Sequence, residues 1–149
     1  MPQLIKTHLK RLVVCLFIIS TPLSAQAANV ATAYFAGGCF WCTEADFEKI
    51  PGVTMVVSGF MGGTKKNPTY EAVAYGSTRH RETVKVVYDP DQVSYQTLLS
   101  AFWRMHDPSD AGGSFVDRGR HYGSAIYVAD AEQRRLAEGA VKADRKSVV

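Results

Sequence analysis

The chain has 149 residues, 46% of them apolar and 21% charged, with a formal net charge of +3. That length suits one domain with a full core rather than two, and the composition excludes a disordered or fibrous chain. The surplus charge is confined to the N-terminus. Lys6, Lys10 and Arg11 precede the apolar run from Leu12 to Ile19, which leads through Thr21-Pro22-Leu23-Ser24 to Ala25-Gln26-Ala27. A basic start, a short apolar run and an Ala-x-Ala end are the pattern of a secretory signal peptide. The run is too short to span a bilayer. Cleavage is expected after Ala27, leaving residues 28–149 as a periplasmic or secreted domain without a membrane anchor. That remainder holds 14 basic and 14 acidic residues, so nucleic-acid binding loses its electrostatic basis. Of three cysteines, Cys39 and Cys42 remain.

In chain order, residues 31–36 read as a strand and Thr43 to Ile50 as a helix stopped by Pro51-Gly52. Residues 53–60 are rich in β-formers and predict a strand, followed by a loop over 61–68. Thr69 is placed to cap a short helix over Tyr70 to Ala74. A polar loop over 76–81 leads to an alternating strand at 82–88, turned by Asp89-Pro90-Asp91. Ser94 is an N-cap candidate for a helix carrying Tyr95, Leu98, Leu99 and Phe102 at helical spacing and ending near His106-Asp107-Pro108. Residues 107–122 form a long loop, and a loop of that length in a compact domain is usually functional or disordered. Residues 124–128 read as a strand. Asp130 with Gln133 resembles a capping box for a helix reaching about Ala143. These elements predict an α+β sandwich with helices packed on a mixed sheet.

Within this order, Gly37-Gly38-Cys39-Phe40-Trp41-Cys42-Thr43-Glu44 is the stretch richest in chemistry. The glycines permit a tight strand-to-helix turn. Cys39 then meets free N–H groups and the positive end of a helix dipole, which favour a thiolate. A structural reading makes the cysteine a small buried hydrophobe and Phe-Trp plain core. A Cys39–Cys42 disulfide would close almost no loop and add little stability, so it is better read as a redox device than a staple. His80, His106 and His121 would be the partners for a metal held with the cysteines, but their spacing fits no zinc pattern.

Further segments extend the pattern: Asn67-Pro68-Thr69-Tyr70, Thr78-Arg79-His80-Arg81-Glu82, Phe102-Trp103 with His106-Asp107-Pro108, and the run from Asp117 to Tyr127. Together with Gly38 to Glu44, and in this order, they resemble the peptide methionine sulfoxide reductases of the A class from about Ala33 onward. The resemblance implies a two-layer, ferredoxin-like α/β plait and reduction of methionine S-sulfoxide, free or in proteins, as a repair reaction. It makes Cys39 the nucleophile, and Phe40 and Trp41 the pocket for the sulfoxide's methyl group. Glu82 becomes the main acid at the sulfoxide oxygen, helped by the hydroxyls of Tyr70 and Tyr122. Asp117 orients the site, and Glu44 supports the substrate site from the helix.

The reaction asks for these residue types. A sulfoxide sulfur is a poor electrophile until its oxygen is protonated or strongly hydrogen-bonded, so a thiolate needs an acid beside it. Attack leaves Cys39 as a sulfenic acid, which a second thiol condenses with and an external dithiol then restores. Cys42 is the resolving candidate, and a thioredoxin-like reductant the expected partner of a monomer that needs no cofactor and no metal. Measured against the family pattern, Arg79 stands where glycine is usual, and the domain is expected to be C-terminally incomplete. Two other readings are a periplasmic thiol–disulfide oxidoreductase using the same CxxC, and an inactive truncated remnant.

Overall fold

The computed structural model describes residues 29–147. The expected signal peptide over residues 1–27 lies outside them. The elements are β1 (Ala31–Ala36), α1 (Phe40–Phe47), β2 (Val53–Met61), α2 (Tyr70–Ala74), β3 (Arg81–Tyr88), α3 (Tyr95–Phe102), β4 (Gly113–Ser114), β5 (Asp117–Arg118), a 3₁₀ turn (Arg120–Tyr122), β6 (Ala125–Tyr127) and α4 (Ala131–Ser147).

The main sheet has the order β2-β3-β1-β6, which is the order of a ferredoxin-like plait. Every pairing in it is antiparallel, so the sheet is not mixed among the described residues. The reason is topological. The β1-α1-β2 unit brings β2 parallel to β1, but β3 inserts between them and pairs antiparallel with both. A short hairpin, β4 with β5, forms a second sheet.

Register decides which side chains face the helices. Val56, Ser58 and Phe60 of β2 stand opposite Val86, Val84 and Glu82 of β3. Side chains two apart along a strand share a face, so these six form one inward surface. Phe35 of β1 is the hub above it. Its ring stacks on Phe47 of α1 at 4.9 Å and on Phe102 of α3 at 5.0 Å, and all three are buried. Leu98, Leu99 and Ala137 complete the core. Burying each such ring stabilises the fold by roughly 1.5–3 kcal/mol over leaving it in water.

The caps follow the residue types. The Thr69 hydroxyl accepts from Ala72 N–H at 3.3 Å and the Ser94 hydroxyl from Thr97 N–H at 3.1 Å. Asp130 accepts from Gln133 N–H at 2.7 Å, while the Gln133 amide returns to Ala129 N–H and to Thr32 C=O. Gln133 thereby ties α4 to β1. Several helix limits differ from expectation, the start of α1 and the end of α3 among them. α1 begins at Phe40, because the main-chain N–H of Thr43 already closes the first turn onto Cys39 C=O at 3.1 Å, with the Thr43 hydroxyl donating to the same carbonyl at 3.1 Å. α3 ends at Phe102, beyond which Arg104 and Met105 close tighter turns onto Ala101 and Phe102.

Candidate active site

Cys39 is the N-cap residue of α1. Its carbonyl accepts from Thr43 N–H at 3.1 Å, yet its side chain makes no capping bond, so the helix makes no use of the sulfur. The turn before it depends on glycine. Gly38 has φ +107, and a Cβ there would stand 2.6 Å from Ser114 Cβ. The Ser114 hydroxyl donates to Gly37 C=O at 3.2 Å. The foot of the β4–β5 hairpin is thus clamped on the turn that presents Cys39.

Glu82 begins the inward row of β3 that continues with Val84 and Val86, and only 2% of its surface is exposed. Its Oε2 accepts the main-chain N–H of Phe40 at 2.9 Å. That N–H belongs to the first residue of α1, so the carboxyl stands at the same helix end as Cys39. Burial pushes the Glu82 carboxyl above its ordinary range, the Phe40 N–H opposes this, and the charge of Asp117 adds to it. With Oε2 occupied by Phe40, a proton on the acid sits on Oε1.

Tyr122 gathers the remaining groups. Desolvation first, then the neighbouring Glu82, Tyr70, Asp117 and Cys39, push its hydroxyl up to about 12. It therefore remains a hydrogen-bond donor at neutral pH. Asp117, at the start of β5 and half-buried, bears electrostatically on Glu82, Cys42, His121 and Tyr122. His121, its ring 4.1 Å from that of Tyr122, is pulled below its ordinary range by desolvation, against the opposing charge of Asp117.

An aromatic wall stands beside these polar groups. Phe40 is buried, with its ring 5.2 Å from Trp41, 5.6 Å from Phe60 and 6.3 Å from Tyr70. Trp41, 63% exposed, stacks on Tyr70, 42% exposed, at 6.1 Å. Phe60 was not singled out by the sequence reading; its place opposite Glu82 in the β2–β3 register is the signal that finds it.

Cys42 is exposed and lies one helical turn on. A hydrogen bond to Cys39 raises its pKa, followed by desolvation and by the negative charges of Cys39, Asp117 and Asp46. The two sulfurs are within hydrogen-bond reach of each other. Glu44 points elsewhere: its carboxylate accepts from the Ser58 hydroxyl on β2 and braces α1 against the sheet. The three histidines are dispersed. His80 is buried against Gly63, His106 packs on Phe102 with Nδ1 3.0 Å from Phe102 C=O, and His121 lies by Tyr122. Among the described residues, no group of three or more His, Cys, Asp or Glu is placed to hold a metal ion. No described helix is long and apolar enough to cross a membrane.

Known proteins place this arrangement. The family model described as peptide methionine sulfoxide reductase matches residues 31–149. The enzyme MsrA of Limosilactobacillus reuteri is 49% identical over 119 residues, which are 80% of this chain and 68% of that protein. MsrA of Ligilactobacillus salivarius is 52% identical over 112 residues, 75% of this chain and 65% of that one. Among solved structures, methionine sulfoxide reductase A of Corynebacterium diphtheriae superposes with a TM-score of 0.71 at 38% identity, covering 79% of this chain and 55% of that chain. Reduced Mxr1 of Saccharomyces cerevisiae gives 0.72 at 28% identity, covering 81% and 72%. The chain thus spans about two thirds of the lactobacillar relatives it matches and 55% of the C. diphtheriae chain. With a plait fold, an N-capping cysteine and a buried acid on one helix end, and the match running from β1 onward, the chain belongs to the peptide methionine sulfoxide reductase family.

Proposed function

We propose that the chain reduces methionine S-sulfoxide, free or within oxidised proteins, to methionine. The observation that carries this reading is the pairing of Cys39 with Glu82 at one helix end, the acid buried and bonded to Phe40 N–H. The Cys39 thiolate attacks the sulfoxide sulfur while Glu82 passes its proton to the sulfoxide oxygen. Tyr70 and Tyr122 donate hydrogen bonds to that oxygen as charge builds on it. The oxygen then passes to the Cys39 sulfur as the S–O bond and the newly formed S–S bond both break, releasing the thioether and leaving Cys39 as a sulfenic acid. Phe40 and Trp41 hold the S-methyl group by dispersion and sulfur–aromatic contact. Asp117 and Glu44 act as positioning residues, the first by its charge beside Glu82 and Tyr122, the second through Ser58.

In the second half of the cycle, the Cys42 thiol condenses with the sulfenic acid, forming the Cys39–Cys42 disulfide and water. A thioredoxin-like dithiol then reduces the disulfide and is itself oxidised. In this proposal the protein needs no bound cofactor, acts as a monomer, and is exported by the leader over residues 1–27 to the periplasm or the exterior, where it repairs oxidised proteins.

Single turnover tests the reading. Pre-reduced protein is mixed with methionine S-sulfoxide without added reductant, and methionine and free thiols are counted. About one methionine per chain with loss of both thiols is expected. Folded protein that yields no methionine defeats it.

A further inference from the structure

The β4–β5 hairpin carries a feature the reaction does not use. Its two-residue tip is Phe115-Val116, between the paired Ser114 and Asp117. Phe115 has φ +52, a left-handed conformation that a bulky aromatic rarely adopts and that glycine or asparagine fits better at a hairpin turn. Despite that strain, the residue is 65% exposed, and its neighbour Val116 is 90% exposed. The tip thus spends strain and apolar exposure together, and neither contributes to the core. Backbone outliers of this kind, held by the structure around them, are found at ligand-binding sites.

The foot of the same hairpin is fixed. Ser114 is buried against Gly38 and bonded to Gly37, and Asp117 bears on Glu82 and Tyr122. The strained tip is therefore held within a few residues' reach of Cys39. We propose that Phe115 and Val116 form a subsite for an apolar side chain of an extended polypeptide flanking the methionine sulfoxide. This deepens the proposed reductase reading and rests on it.

The occupant follows from where methionine resides. Methionine is a core residue, so its sequence neighbours are commonly apolar. Oxidation makes its side chain polar and disrupts the core around it, exposing those neighbours in an unfolded segment. An extended segment advances about 3.3 Å per residue. A side chain roughly two to four positions from the sulfoxide then reaches the tip while the sulfoxide lies over Cys39. Free methionine sulfoxide has no such side chain and gains nothing from the subsite.

The test is binding, read by fluorescence anisotropy of short labelled peptides. Each carries one methionine S-sulfoxide, flanked at two to four positions by leucines in one peptide and by serines in the other. The proteins are wild type, Phe115→Asn and Phe115→Gly, both replacements being at ease with positive φ, so that thermal unfolding should not move down. The leucine peptide is expected to bind both variants about tenfold more weakly than wild type, the effect of one apolar side chain removed from contact. The serine peptide is expected to bind all three proteins alike. Unchanged affinity for the leucine peptide, equal loss for both peptides, or no preference of wild type for leucine over serine overturns the subsite. Failure of wild type to reduce free methionine S-sulfoxide defeats the reductase reading instead, and is a separate result.

Discussion

The main-chain N–H of Phe40 donates to Glu82 Oε2 at 2.9 Å across 42 residues of sequence, and this bond fixes the carboxyl against the residue that follows Cys39. Glu82→Gln keeps an acceptor for Phe40 N–H and removes the proton to be given. Sulfoxide reduction is expected to fall by about 10²–10⁴-fold, the usual range for a lost general acid. Steady-state rates on methionine S-sulfoxide measure it.

The same carboxyl sets a pH dependence. Its folded pKa lies above the ordinary 4.5, so the folded chain holds the proton more tightly than the unfolded chain. The stability contributed by this group is full below the unfolded value and is lost as pH rises through the folded one. The chemical step is expected to fall over that same upper window, because in the proposed reaction only protonated Glu82 donates. Glu82→Gln should flatten both profiles. Chemical denaturation and single-turnover rates over a pH series decide it, and a stability profile unchanged by the substitution rejects the assignment.

Tyr122 and Tyr70 are expected to act on the same oxygen. Each Tyr→Phe variant loses one donor to a group developing charge, worth about 1.5–3 kcal/mol, or roughly ten- to a hundredfold in rate. Burial keeps the Tyr122 hydroxyl protonated up to about 12, so its loss should scale the rate evenly through the neutral range without altering the shape of the pH profile.

Cys42→Ser separates the two halves of the cycle. The variant should still release about one methionine per chain, losing one thiol instead of two, and should stall as a sulfenic acid. Trapping with a sulfenic-acid reagent followed by mass measurement identifies the stalled residue.

Gly38→Ala tests the clamp. The new Cβ would stand 2.6 Å from Ser114 Cβ at φ +107, so the hairpin must move or the turn must strain. A loss of about 1–3 kcal/mol is expected from the backbone alone. Denaturant titration gives the stability, and activity should fall along with it because the displaced turn carries Cys39.

Much of this was legible in residue order. Strand alternation in Glu82-Thr83-Val84-Lys85-Val86 already places the acid on the face of Val84 and Val86, which argues against a solvated edge charge. Ser94, Thr69 and Asp130 cap as their types predict. α1 starts at Phe40 rather than Thr43, because the Cys39 carbonyl already accepts from Thr43 and closes the first turn. The antiparallel sheet was missed because strand order is a long-range fact that no local pattern encodes. Residues 107–122 read as plain loop because a hairpin of two-residue strands has no room for periodicity, and its register with Gly38 is set by packing. Glu44 was legible as a helix residue near the site, but its bond to Ser58 depends on how α1 lies on β2.

The stacking of Trp41 on Tyr70 has an optical consequence. The sequence has two tryptophans; Trp103 packs against the core, whereas Trp41 lies in solvent between the two cysteines in sequence. Red-edge emission therefore comes mainly from Trp41, and a disulfide is an efficient quencher of a neighbouring indole. Formation of the proposed Cys39–Cys42 disulfide is therefore expected to quench Trp41, a change readable in real time without a label, with Trp103 as the internal standard.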